Sequence, residues 1–152
     1  MSIESTRCSR RIVVGVHGTH GSVQALRYAA YEARQRQATL TVVNAWIPAG
    51  GEGAERVTPC PELCSTMRER ARLDIEEACR QAKVGDDLAV EKCVVRGSPG
   101  EVLTRVAQQE GDMLVLGAPR QRLVGSLRRT RIIKYCLLNC HFPVVVVAVP
   151  SD

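Results

Sequence analysis

The stretch that decides the fold runs from Leu114 to Val147 and reads LVLGAPRQRLVGSLRRTRIIKYCLLNCHFPVVVV. Its first three residues form a short apolar run that ends at Gly117, which is typical of a buried strand. A loop and a helix ending near Asn139 follow, and a second apolar strand is predicted from Val144 to Val149. A strand, a helix and another strand in this order predict one unit of a parallel α/β sheet.

The rest of the chain repeats this alternation. Strands are predicted at 12–16, 40–46, 88–95 and 113–116, and helices at 22–37, 61–83 and 100–110. A loop of about a dozen residues is expected between the second strand and the helix that begins at Pro61. The pattern predicts one doubly wound α/β domain over residues 11–150, with helices on both faces of a five-stranded parallel sheet. Residues 1–10 are predicted to be a flexible N-terminus.

Composition is that of an ordinary soluble globular protein, with 45% hydrophobic and 24% charged residues. No apolar run approaches the roughly 20 residues that a membrane helix needs. The N-terminal segment lacks the apolar centre of a signal peptide, which favours a cytoplasmic location without a membrane partner. The seven cysteines are therefore interpreted as reduced thiols. Cys136 and Cys140 lie one helical turn apart on an apolar face and are predicted to be core residues.

The net charge of +5 has a single origin. Residues 118–134 hold six basic side chains and no acidic one, whereas the rest of the chain has 15 basic and 16 acidic residues. This local positive charge predicts a surface that faces a small anion. Nucleic acid is disfavoured as the partner, because no aromatic residues interleave with the arginines for base stacking.

Four pieces of sequence carry a family resemblance by their order and spacing. They are the first strand and turn IVVGVHGTHGS, the second strand TLTVVNAW, the loop and helix RGSPGEVLTRVA, and the fourth strand GDMLVLG. Together with the C-terminal stretch, they resemble the universal stress protein family over nearly the whole chain. The resemblance implies a sheet of strand order 3-2-1-4-5 and a homodimer in which the last strands of two subunits meet.

The resemblance also implies a place for a ligand. In an open α/β sheet, ligands bind beyond the carboxyl ends of the strands where the strand order reverses, here between the first and fourth strands. The candidate residues for binding a nucleotide or an anion there are Gly15, His17, Gly18, Thr19, Ala45, Gly97, Gly117, Arg120, Thr130 and Arg131.

The phosphate loop of nucleotide-binding family members has the form Gly-x2-Gly-x9-Gly-(Ser/Thr), and this chain keeps only its first glycine, Gly117. Arg120, Thr130 and Arg131 occupy the other positions, and His17 stands where the family usually has Asp. Glycine lets backbone N–H groups approach phosphate oxygens, so these changes remove donors. Either the loop has decayed and arginine fills the pocket, or arginine side chains replace the backbone donors, since guanidinium binds phosphate bidentately.

The first interpretation, which the sequence favours, predicts a non-enzymatic, dimeric stress-response or regulatory protein with a degenerate adenine-nucleotide site and no cofactor. The second predicts a switch that binds ATP or AMP through an arginine-rich loop, with slow hydrolysis at most. No nucleophile–base pair or paired carboxylates indicate catalysis. The homodimer is predicted to form through Val144 to Val149, because an unpaired apolar edge strand invites pairing with a second copy. A protein partner stays open.

Two other pairs of residues could in principle bind a metal or act as reactive thiols. A metal site at His17 and His20 is disfavoured because no third ligand is marked, so no metal site is predicted. Cys60 and Cys64 lie at a predicted helix start, where the helix dipole could lower a thiol pKa. A thiol or metal sensor is therefore kept as a distant alternative.

Overall fold

The computed structural model describes residues 10–17, 20–119 and 126–148. The predicted flexible N-terminus falls almost wholly outside these ranges. The described strands form one parallel sheet of order β3-β2-β1-β4-β5. They are β1 (Arg11–Gly15), β2 (Thr39–Trp46), β3 (Val90–Arg96), β4 (Met113–Gly117) and β5 (Val144–Val147). The predicted fold class and strand order are confirmed. Val149, the predicted end of the last strand, lies outside the described residues.

Helices cover both faces of this sheet. They are α1 (His20–Arg36), α2 (Gly51–Val57), α3 (Pro61–Gln81), α4 (Pro99–Val106) and α5 (Ser126–Asn139). One hydrophobic cluster joins α1 and α3 to one face, and a second joins α4 and α5 to the other. The layered arrangement is the one expected for a doubly wound sheet.

The central strand β1 is buried on both of its faces. Ile12, Val13 and Val14 are at most 1% exposed. Because successive side chains of a strand point to opposite faces, Ile12 and Val14 pack in the cluster with α1 while Val13 packs in the cluster with α4. β1 also pairs with β2 on one side and β4 on the other. This double burial explains why its sequence is continuously apolar rather than alternating.

The prediction of a loop between β2 and α3 is wrong, because this segment contains α2. The helix has no buried residue, and two of its seven residues are Gly51 and Gly53, so its sequence shows no apolar stripe. A tertiary contact joins it to β3. The Arg96 guanidinium donates to both oxygens of Glu52 at 2.9 and 2.7 Å, and lies 5.5 Å from the ring centroid of Trp46.

A buried ion pair joins β1 to the turn before β4. The fully buried Asp112 side chain accepts hydrogen bonds from Arg11 Nε at 3.1 Å and Nη2 at 2.6 Å, and from the Gln109 N–H at 3.0 Å. The Asp112 hydrogen bond raises the pKa of Arg11, which stays charged. Arg11 Nη2 also donates to the carbonyl of Val106 at 2.7 Å.

The Arg11 bond to Val106 coincides with the end of α4. The helix was predicted to continue to residue 110, and this boundary is wrong by four residues. Because the last carbonyls of a helix need partners, a guanidinium that supplies one favours termination there. The other described boundaries agree with the predictions to within two residues.

Replacing Asp112 by asparagine tests the ion pair. Asp112→Asn leaves a mostly buried Arg11 without its counter-charge, so the free energy of unfolding should fall by about 3 kcal/mol. The matched control is Glu69→Gln, which breaks the pair with Arg72, where both side chains are more than half exposed. Urea titrations of both variants measure the effect, and the free energy of unfolding of the control should fall by less than about 1 kcal/mol. Equal losses would show that burial does not strengthen the Arg11 pair.

Candidate functional site

A cavity of about 50 Å³ lies beyond the carboxyl ends of β1 and β4, where the strand order reverses. Gly15, Val16 and His17 line it from the end of β1, and Leu116 and Gly117 from the end of β4. A cavity of this volume has room for a few water molecules. The site is therefore in the place typical of ligand sites in open α/β sheets, but it is small.

The predicted site residues divide into four groups. Those that line this cavity are Gly15, His17, Ala45 and Gly117. Gly97 follows β3 and donates its N–H to the carbonyl of Trp46 at 2.9 Å, away from the described lining. Thr130 and Arg131 lie on α5. Gly18, Thr19 and Arg120 lie outside the described residues.

The helix α5 presents other residues to the cavity than the motif predicts. Thr130 and Arg131 are exposed, and neither belongs to the described lining. Arg129, Ile132 and Ile133 line the cavity instead. Arg129 was not predicted, although it precedes the two isoleucines by three and four residues and so shares their helix face.

His17 is held at the mouth of the cavity by the first turn of α1. Its backbone N–H donates to Ser22 Oγ at 3.1 Å, and its ring Nδ1 lies 3.2 Å from the same hydroxyl. Ser22 is buried, so this anchor is fixed. Loss of solvent around the ring lowers the pKa of His17, and the positive charge of Arg129 lowers it further. The lowered pKa favours the neutral form of the imidazole.

The polarity of the cavity follows from these residues. No carboxylate occurs among the described lining residues, whose one full charge is the guanidinium of Arg129. Leu103, Ile132 and Ile133 supply apolar walls from α4 and α5. The described lining thus offers one cation and one imidazole to a ligand, and it contains no carboxylate that could act as a general base for hydrolysis.

Gly117 has a packing role that is independent of phosphate. A Cβ atom at this position would overlap the backbone carbonyl of Gly21 at the start of α1. The next residue, Ala118, donates its N–H to the carbonyl of Val147 at 2.8 Å and continues the pairing with β5. Survival of the first motif glycine is therefore explained by the close approach of β4 to α1.

Comparison with known proteins identifies the family. Residues 9–148 match the model of the Universal stress protein family. The chain belongs to this family. Three solved relatives, each 20% identical, have closely similar folds: universal stress protein UspA from Lactobacillus plantarum, a universal stress protein in complex with cAMP, and the universal stress protein from Archaeoglobus fulgidus in complex with dAMP.

The three structural matches cover most of each universal stress protein. The TM-scores are 0.70, 0.65 and 0.54, each match covers 91% of this chain, and the relatives are covered over 97%, 95% and 98% of their length. At this identity the likeness concerns the fold. No curated protein gives a significant match. Within the described ranges, no helix is long and apolar enough to cross a membrane.

The described residues give no support to the alternatives of a metal site and a reactive thiol at Cys64. The described residues contain no group of three metal-ligating side chains. Burial raises the pKa of the Cys64 thiol, so the hypothesis of a lowered thiol pKa is wrong for this residue. Burial also raises the pKa of Cys136 to about 11, and the predicted core position of Cys136 is confirmed. Cys140 is half-buried in the same cluster.

A glycine-to-alanine pair tests the packing role of Gly117 in this universal stress protein. Gly117→Ala should lower the free energy of unfolding by about 1–3 kcal/mol or more, because the atoms it meets belong to a backbone that cannot rotate away. Gly53→Ala is the control, since a Cβ there meets nothing within 4 Å and lies inside α2. It should be neutral or stabilising by about 0.5–1 kcal/mol. If both variants unfold alike, close packing does not explain Gly117.

Proposed function

We propose that this universal stress protein is a non-enzymatic, cytoplasmic regulator whose nucleotide site has contracted. It holds adenine nucleotides weakly or not at all. The observation that carries the proposal is the cavity volume of about 50 Å³ at the point where strand order reverses. Pockets that hold small organic ligands are roughly 300–1,000 Å³.

Apolar side chains occupy the space that a ligand would need. A methyl group added to Gly15 would come within 3.1 Å of Leu103 Cδ1, so Leu103 covers the end of β1. Ile132 and Ile133 line the same space from α5. A ribose or phosphate placed against these groups would lose its water without gaining hydrogen bonds, which is costly.

The motif positions on α5 supply no compensating donors to the cavity. Thr130 and Arg131 replace a glycine and a small hydroxyl residue, and both are exposed outside the described lining. A lost hydrogen bond costs about 0.5–1.5 kcal/mol when neutral and about 1.5–3 kcal/mol when one partner is charged. Each step of about 1.4 kcal/mol changes the affinity tenfold. Losing one donor at each of the three motif positions, 120, 130 and 131, therefore weakens a micromolar Kd to about millimolar.

Calorimetry with ATP tests this proposal. The wild type should bind with a Kd of about 1 mM or weaker, and Arg120→Gly/Thr130→Gly/Arg131→Ser should bind no more tightly, because both α5 positions are exposed outside the described lining of the cavity. Arg105→Gln, which removes an exposed arginine at the end of α4, is the control and should behave as the wild type. Low micromolar binding by the wild type would contradict the contracted site.

A second candidate is a nucleotide-binding switch. It is supported by the relatives whose complexes contain cAMP and dAMP, and by the entry of Arg129 into the cavity beside His17. One guanidinium there could neutralise part of a phosphate charge. If the wild type binds ATP tightly and Arg129→Gln abolishes this binding, the switch replaces the contracted site as the function.

The proposal includes a homodimer through the last strand. β5 is at the edge of the sheet, where it pairs with β4 on one side and with no described strand on the other. Val146 is 40% exposed on this edge strand. An exposed apolar edge strand favours pairing with a second copy.

Light scattering tests the dimer at micromolar concentration. The wild type should have the mass of two chains, and Val146→Lys should shift it towards one chain, because a charge on an edge strand opposes pairing. Val57→Lys is the control, since Val57 is 85% exposed on α2. A wild-type monomer, or a dimer that resists Val146→Lys, would contradict an interface at β5.

A further inference from the structure

A second, larger groove lies beside the cavity, between the start of α4 and the outer side of α5. Its volume is about 270 Å³, compared with about 50 Å³ for the cavity. Among the described residues the two spaces share only Pro99 and Ile132 as walls. In the described part of the chain, the groove and the cavity are therefore separate spaces.

Two arginines line this groove. Arg128 and Arg131 are three residues apart on α5, so their side chains are neighbours on one face of the helix. Both are exposed, and in the described part of the chain neither forms a salt bridge. The sequence of α5 contains no acidic residue. The positive charge of the pair is therefore left for a ligand to neutralise.

The opposite wall is the first turn of α4. Ser98 precedes this helix and makes no capping hydrogen bond with its side chain, so the hydroxyl is not used within α4. A Cβ atom on Gly100 would lie 2.7 Å from Tyr135 Cδ1. The glycine thus lets α4 pack closely against α5 at Tyr135, which also lines the groove.

We propose that this groove binds the phosphate group of a small phosphomonoester. Two guanidinium groups match the two negative charges that such a phosphate carries above its second pKa of about 6. Arginine also binds phosphate oxygens in a bidentate manner. A carboxylate has one charge and would leave the second guanidinium without a counter-charge.

The size and walls of the groove limit the rest of the ligand. Its volume is slightly below the roughly 300 Å³ at which pockets for drug-sized ligands begin, which favours one phosphate with a small organic group. Ile47, Pro99 and Ile132 offer apolar contacts to that group. The proposal goes beyond the contracted nucleotide site and does not rest on it, because neither Arg128 nor Arg131 lines that cavity; Arg131 is a motif position of the phosphate loop and Arg128 is not.

Nuclear magnetic resonance of the ¹⁵N-labelled full chain tests the groove, with phenyl phosphate as the probe at pH 7.5 and 0.15 M salt. Saturable shifts are expected at the amides of Ser98 and Gly100 and at the Nε–H groups of Arg128 and Arg131. Arg128→Gln and Arg131→Gln should each raise the Kd about tenfold, since each removes hydrogen bonds to a charged group. Arg105→Gln, an equal loss of charge on α4, should change it less than about twofold.

Two further measurements separate the groove from general charge attraction. Phenyl phosphate should bind more weakly at pH 5.5, where most of the phosphate is a monoanion, and benzoate should bind more weakly at both pH values. Three results would overturn the proposal. They are an equal effect of Arg105→Gln on the Kd, chemical shift changes centred on Gly15 and His17, and shift changes that do not saturate. Tight ATP binding with shifts at Gly15 and His17 would refute the contracted nucleotide site alone. The amide spectrum of each variant verifies its folding.

Discussion

The constraint on which the rest of the structure depends is the burial of β1 on both faces and along both edges. Ile12 and Val14 need a cover on one side of the sheet and Val13 needs one on the other. Helices therefore pack on both faces, because burying apolar surface is the main favourable term in folding. With β2 and β4 on its two edges, β1 also fixes the point at which the strand order reverses. A cleft at the carboxyl ends of β1 and β4 is the geometric result.

Close packing reduces this cleft. The backbone of Gly117 meets that of Gly21, Leu103 covers Gly15, and the isoleucines of α5 line the remaining space. The positive charge of α5 is divided accordingly. Arg129 enters the cavity, whereas Arg128 and Arg131 line the groove at the start of α4. The helix thus contributes two isoleucines and one cation to the cavity, and two further cations to the neighbouring groove.

The fold could be predicted from the sequence because its core strands are apolar runs and its packed helices have apolar stripes. α2 could not be predicted, since no residue in it is buried and its Glu52–Arg96 contact joins positions 44 residues apart. The early end of α4 likewise accompanies a bond from Arg11, which is 95 residues away from Val106. Contacts that are distant in sequence leave no local pattern.

The candidate site, like the fold, could be predicted only in part. Gly15, His17, Ala45 and Gly117 were found because strand ends converge wherever a parallel sheet changes order. Arg131 was placed by ungapped spacing from Gly117, and spacing along a motif does not fix which face of α5 turns inward. The apolar periodicity of the helix, which includes Ile132 and Ile133, would have indicated Arg129.

The central claim is that the cavity between β1 and β4 is too small and too apolar to retain an adenine nucleotide. Mass spectrometry of small molecules released from the purified, denatured protein tests it most directly, with no nucleotide added during purification. The account predicts far less than one adenine nucleotide per chain, at the level released by an unrelated control protein. One ATP or AMP released per chain would contradict it.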